Sequence, residues 1–84
     1  MKVANSVRAM VSSEGGVLRD GKGGGTFGLN PVGAMIWQLL QQGVTTDEII
    51  QRISEQFQAP REVVRQDVEE FLHSLEAHSL VRKN

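Results

Sequence analysis

The spacing of apolar residues changes once along the chain, at Leu29-Asn30-Pro31. Before that point they alternate in short runs separated by glycine-rich turns; after it they recur at helical intervals. A chain that keeps its strands on one side of such a boundary and its helices on the other reads as an α+β domain, with the order strand, strand, strand, helix, helix, helix. Its 84 residues allow one domain, taken as residues 1–84. With no cysteine there is no disulfide, no thiolate metal site and no cysteine nucleophile, so the fold depends on one apolar core.

In the first part, Val7, Ala9 and Val11 alternate with Arg8, Met10 and Ser12, the period of a half-buried strand. Glu14-Gly15-Gly16 reads as a tight turn and Val17-Leu18-Arg19 as a second strand. Asp20 to Gly25 reads as a flexible loop before a third strand, Thr26-Phe27-Gly28-Leu29. The expected sheet is a three-stranded antiparallel meander.

The helices carry stronger signals. Asn30 supplies an N-cap side chain, and Pro31 fills the first helical position, where its missing N–H is harmless. Val32, Met35, Ile36, Leu39 and Leu40 form the first apolar stripe, and Gly43 stops it with a left-handed residue. Thr45 with Glu48 has capping-box spacing, and Ile49, Ile50, Ile53 and Phe57 form the inward face of the second helix. Ala59-Pro60 breaks that helix. The third carries Val64, Val68, Phe71, Leu72 and Leu75 and runs to about His78. Leu80-Val81 should fold back on the core, leaving Arg82-Lys83-Asn84 as a polar tail. Trp37 is expected to anchor the first helix in the core.

Several chemistries are excluded by context. Gly23-x-Gly25-x-x-Gly28 spells a dinucleotide fingerprint, but it lies in a hairpin loop with no following helix. Gly16 to Gly23 resembles a phosphate-binding loop whose last position lacks the hydroxyl that would hold magnesium. His73 and His78, five residues apart on one helix, diverge and cannot share a metal. No serine has a spacing that recommends nucleophilic catalysis. The expectation is no enzyme, no cofactor and no metal. The start of the chain has no apolar run of signal-peptide length, and no stretch could cross a bilayer, so a cytoplasmic protein without membrane contact is expected.

Helices beside a small sheet also suggest a winged-helix DNA-binding regulator, the alternative reading. Its recognition element would be the third helix, which from Arg61 to His78 holds two arginines against five acidic residues. That charge repels phosphates, and nucleic acid is not an expected partner. The third strand, Thr26 to Leu29, should lie at a sheet edge. It carries no charge and no proline to blunt its unpaired backbone groups. An open edge beside the wall of a helix is what strand addition by an extended peptide requires. The same edge could also pair weakly with a second copy, so monomer or weak edge-strand dimer is expected.

Phe27-Gly28-Leu29-Asn30, a small-residue helix start, Ile36-Trp37-x-Leu39-Leu40, Gly43, Thr46 to Ile49 and Asp67-Val68-x-x-Phe71-Leu72-x-x-Leu75 together resemble the PqqD-like proteins. These are recognition domains for ribosomally made, post-translationally modified peptides. The similarity runs from Val7 to Val81, departing from the family where Ser79 replaces a glycine and where the glycine-rich loop at 21–25 is extended. The resemblance implies a winged helix-turn-helix-like fold that binds a precursor's leader segment as an added strand between the third strand and third helix. Carried onto this chain, the strand partners are Thr26, Phe27, Gly28 and Leu29. The helix partners are Val64, Asp67, Val68 and Phe71, with Arg61 and Arg65 for acidic leader residues. It also implies a separate maturation enzyme, either a leader peptidase with a cyclase, as in lasso-peptide systems, or a radical-SAM enzyme.

Overall fold

The computed structural model describes residues 1–22 and 25–82. The elements in chain order are β1 (Lys2–Val3), β2 (Val7–Ser12), β3 (Gly15–Asp20), β4 (Thr26–Leu29), α1 (Pro31–Gln41), α2 (Thr46–Phe57), α3 (Arg61–Ala77) and β5 (Val81–Arg82). Strands β2, β3 and β4 form an antiparallel sheet in that order, with the helices following. This is the expected α+β, winged-helix-like arrangement, with β4 at the sheet edge.

The turn between β2 and β3 is one residue earlier and tighter than the glycines suggest. Ser12 pairs with Gly15, so Ser13-Glu14 is the loop and both glycines belong to β3. Gly15 has φ +128°, and a Cβ there would lie 2.5 Å from the Leu29 carbonyl oxygen, so the end of β4 packs directly on its backbone. Asp20, expected in the loop, ends β3; its carboxylate accepts from the Lys22 amide at 3.0 Å. The centre of the glycine-rich stretch, Gly23-Gly24, lies outside the described residues, as do Lys83 and Asn84 of the tail.

Asn30 caps α1 as its position demands, its side-chain oxygen accepting from the Gly33 amide at 2.7 Å. Gly43 follows the helix with φ +81°. Thr45 caps α2 by accepting from the Glu48 amide at 3.3 Å. The return arm of the capping box is not made: the Glu48 carboxylate accepts instead from Arg52, one turn on, at 3.2 Å. The α2 stripe is buried at Ile49, Ile50 and Ile53, but Phe57 is 49% exposed. It is the last residue of the helix, where the chain reverses through left-handed Gln58, and it projects past the layer that its stripe covers.

The core lies between the sheet and the three helices, centred on Leu18, Trp37, Ile49, Ile50, Val68 and Leu75. Every buried side chain among the described residues other than glycine is apolar. The Trp37 indole N–H has no hydrogen-bond partner among the described residues, and the ring is packed fully within the core. Leu80 and Val81 do fold onto the core. Arg82, expected in the polar tail, instead pairs with Lys2, and Val81 pairs with Val3, joining β1 to β5. The Ala4 amide donates to the Leu80 carbonyl at 3.0 Å beside this ladder. Two-residue strands contain no periodicity to read, which is why sequence alone does not reveal them.

Candidate functional site

The hydrogen-bond alternation of the sheet decides which groups of β4 are free. The Asp20 amide donates to the Gly25 carbonyl at 3.1 Å, while the Gly21 amide turns to the opposite neighbour and donates to Ser6 at 2.9 Å. In an antiparallel ladder bonded and non-bonded pairs alternate. Continuing from Asp20–Gly25, the pairs Leu18–Phe27 and Gly16–Leu29 exchange bonds, whereas Arg19–Thr26 and Val17–Gly28 do not. The N–H and C=O groups of Thr26 and Gly28 therefore point away from β3 to the open edge. Those of Phe27 and Leu29 are spent inside the sheet.

The side chains alternate the other way. Phe27 and Leu29 turn toward the helices, and the Phe27 ring meets one side chain of α3 and the residue that caps its end. It makes an edge-to-face contact with Phe71 (centroids 6.2 Å apart, planes at 66°) and another with His78 (5.1 Å, 73°). The His78 Nδ1–H donates to the Ser74 carbonyl at 2.8 Å, which holds the imidazole against Phe27. Both phenyl rings are half-buried, so they form an apolar floor still open to solvent beside the free edge. Gly33 makes room for this arrangement: a Cβ there would lie 3.2 Å from Phe71 Cε1.

The sequence-derived site residues do not all meet there. Thr26, Phe27, Gly28 and Phe71 share the edge, and Asp67 lies exposed one helical turn before Phe71 on the same flank. Leu29, Val64 and Val68 are 8%, 5% and 1% exposed and form the core beneath. Arg61 and Arg65 face the other way. The Arg61 guanidinium donates to Gln51 of α2 at 2.7 Å, and Arg65 approaches Asp47 at 3.8 Å and Glu62 at 3.9 Å. On the helix they stand on the flank toward α2, whereas Asp67 is a charge one turn from Phe71 on the Phe71 flank. His78 and Gly33, outside the sequence-derived set, also belong to this edge. His78 stands seven residues after Phe71, a spacing that returns to the same flank and could have pointed to it.

The other outer strand of the sheet, β2, carries Arg8, a charge of the kind that discourages edge pairing. Elsewhere, an open cleft of about 640 Å³ lies between the chain ends and β3 and is lined by Ser6, Asp20, Glu76 and Arg82 among others; it has no aromatic floor. Among the described residues no group of three His, Asp or Glu side chains could hold a metal ion, and no helix is long and apolar enough to cross a membrane.

Two solved structures share this architecture. One, described as TbiB1 in complex with the TbiA(beta) leader peptide, is 31% identical, with a TM-score of 0.93 over 100% of this chain and 98% of that one. The other, a lasso peptide synthetase B1 complexed with the leader peptide, is 22% identical and shares the fold, with a TM-score of 0.87 over 98% and 96% of the two chains. No curated protein sequence matches the chain. Residues 15–81, which hold the edge strand, all three helices and the aromatic floor, match the family of Coenzyme PQQ synthesis protein D, and the chain belongs to the PqqD family.

Proposed function

We propose that this protein binds the leader segment of a ribosomally synthesised precursor peptide as a fourth strand, antiparallel to β4, and delivers the precursor to a separate maturation enzyme. The observation that carries the reading is the β4 edge itself: the backbone groups of Thr26 and Gly28 are unpaired beside the half-buried rings of Phe27 and Phe71. Backbone pairing supplies register and part of the affinity, and the aromatic floor selects an apolar side chain on the inward face of the peptide. Asp67, one turn from Phe71, favours a basic leader residue at that end. Arg61 and Arg65, engaged with α2, contribute little to recognition.

The role is delivery, not catalysis. Holding the leader raises the concentration of the attached core peptide near the enzyme without any bond being made or broken here. The 31% identical relative solved with a leader peptide supports this reading, and the lasso peptide synthetase B1 complexed with the leader peptide supports a lasso-peptide system, with a leader peptidase and cyclase downstream.

The test is an NMR titration of the labelled protein with the leader peptide encoded beside this gene, using a scrambled leader as control. Saturable binding at micromolar affinity or tighter, about −8 kcal/mol, is expected, with the largest amide shifts at Thr26 and Gly28. Shifts centred on β2, or equal binding of the scrambled peptide, would overturn the assignment.

A further inference from the structure

The sheet has a second face that no other described element covers. Because Leu18, Phe27 and Leu29 point to the helices, alternation turns Arg8, Met10, Val17, Arg19 and Gly28 to the opposite side. Across the strands they form two rows. Met10, Val17 and Gly28 make an apolar row, with Met10 81% and Val17 45% exposed and open space above Gly28. Arg8 and Arg19 stand directly opposite each other in the next row. Like charges in that position weaken a sheet. The ion pairs among the described residues involve Arg52 and Arg65 but neither of these two. The nearest carboxylate on the strands, Asp20, is turned to the Ser6 hydroxyl and the Lys22 amide.

We propose that this outer face docks a second protein, one that presents carboxylates beside an exposed apolar side chain. We identify that protein as the maturation enzyme, a step that rests on the leader-binding reading above. Charge complementarity selects the occupant: two opposed, unpaired guanidinium groups border an apolar strip, and a partner's carboxylates relieve their repulsion. A second copy of this chain is a poor occupant, because face-to-face pairing would gather four arginines at one contact. The geometry also ties docking to the peptide. A strand added to β4 continues the sheet, and every second side chain of it emerges on this outer face next to Gly28. The docked enzyme therefore touches domain and peptide together, and the loaded domain offers it a larger surface than the empty one.

The test uses the full chain and the maturation enzyme encoded beside this gene, with affinity measured with and without the leader peptide. The Arg8→Glu variant sets a carboxylate opposite Arg19, so its melting temperature should not fall. It should nevertheless bind the enzyme at least tenfold more weakly while leader affinity stays within twofold. Met10→Asp should do the same, and wild-type affinity for the enzyme should rise when the leader is present. Unchanged enzyme affinity in both variants, or no enzyme binding by the wild type, would overturn the proposal. So would an Arg8-dependent dimer, or Arg8-dependent binding of duplex DNA in place of the enzyme. If the wild type binds no leader but its enzyme affinity still depends on Arg8 and Met10, the leader reading fails and the docking face stands.

Discussion

The ring of Phe71 presses close on the position where a side chain at Gly33 would begin, with Cε1 3.2 Å from the place of that missing Cβ. The first turn of α1 and the middle of α3 thereby meet at close range, and the Phe71 ring lies edge-to-face with Phe27. A residue without a side chain in one helix thus sets the floor beside the open strand.

Substitutions at Gly33 should separate helix propensity from packing. Alanine gains about 1 kcal/mol of propensity in a helix but must push Phe71 and the Asn30 side chain by a few tenths of an ångström. Gly33→Ala should stay near wild-type stability while shifting the aromatic NMR signals of Phe27 and Phe71. Gly33→Val has no such compensation. It should cost about 1–3 kcal/mol by overpacking, read as a fall in melting temperature of about 4–8 °C per kcal/mol.

Proline scanning of β4 should distinguish its two sets of amides. The Gly28 amide faces the open edge, where proline is tolerated. Gly28→Pro should therefore keep its fold by circular dichroism and lose at least about fivefold in leader affinity, one backbone bond at about 1 kcal/mol. Phe27→Pro should break the bonded pair with Leu18 and lower stability before binding is tested. Equal effects of the two on stability would mean that the alternation is assigned the wrong way round.

Truncating Phe71 should touch both properties. The ring is half-buried, so Phe71→Ala should cost less than the 3–5 kcal/mol typical of a fully buried phenylalanine, about 2 kcal/mol. Leader affinity should fall further than that of a surface variant such as His73→Ala. Calorimetry paired with thermal melting checks this, and a variant that melts lower but binds normally would confine Phe71 to the core.

The arginines of α3 provide the contrast. Arg61 and Arg65 contact Gln51 and Asp47 on α2, and exposed pairs of this kind contribute about 0–1 kcal/mol. Alanine at either position should change leader affinity less than twofold. Asp67→Lys should weaken binding of a leader with a basic residue near its amino-terminal end, and restoring affinity with an acidic residue there would identify the contact.

Much of this was readable along the chain because the signals are local. The Asn30 cap, proline at the first position of α1, the Thr45 cap and the stop at Gly43 each involve residues within one turn of each other, and all form as spaced. The uncharged edge of β4 follows from strand order, since consecutive short strands pair as hairpins. Phe57 shows the limit of periodicity: it keeps the phase of the α2 stripe, yet the helix ends there and about half of the residue stays exposed.

Local spacing, the caps and the single change of period determine which segments are strands and which are helices, because those choices depend on backbone and neighbouring side chains. Which flank of α3 meets β4 depends instead on how helices cross, a property of the packed core. That packing turned Arg61 and Arg65 toward α2, buried Val64 and Val68, and brought His78 to Phe27. It also joined Lys2 to Arg82 across nearly the whole chain. No stretch of sequence records such a pairing, because its free energy comes from contacts that exist only once the core has formed.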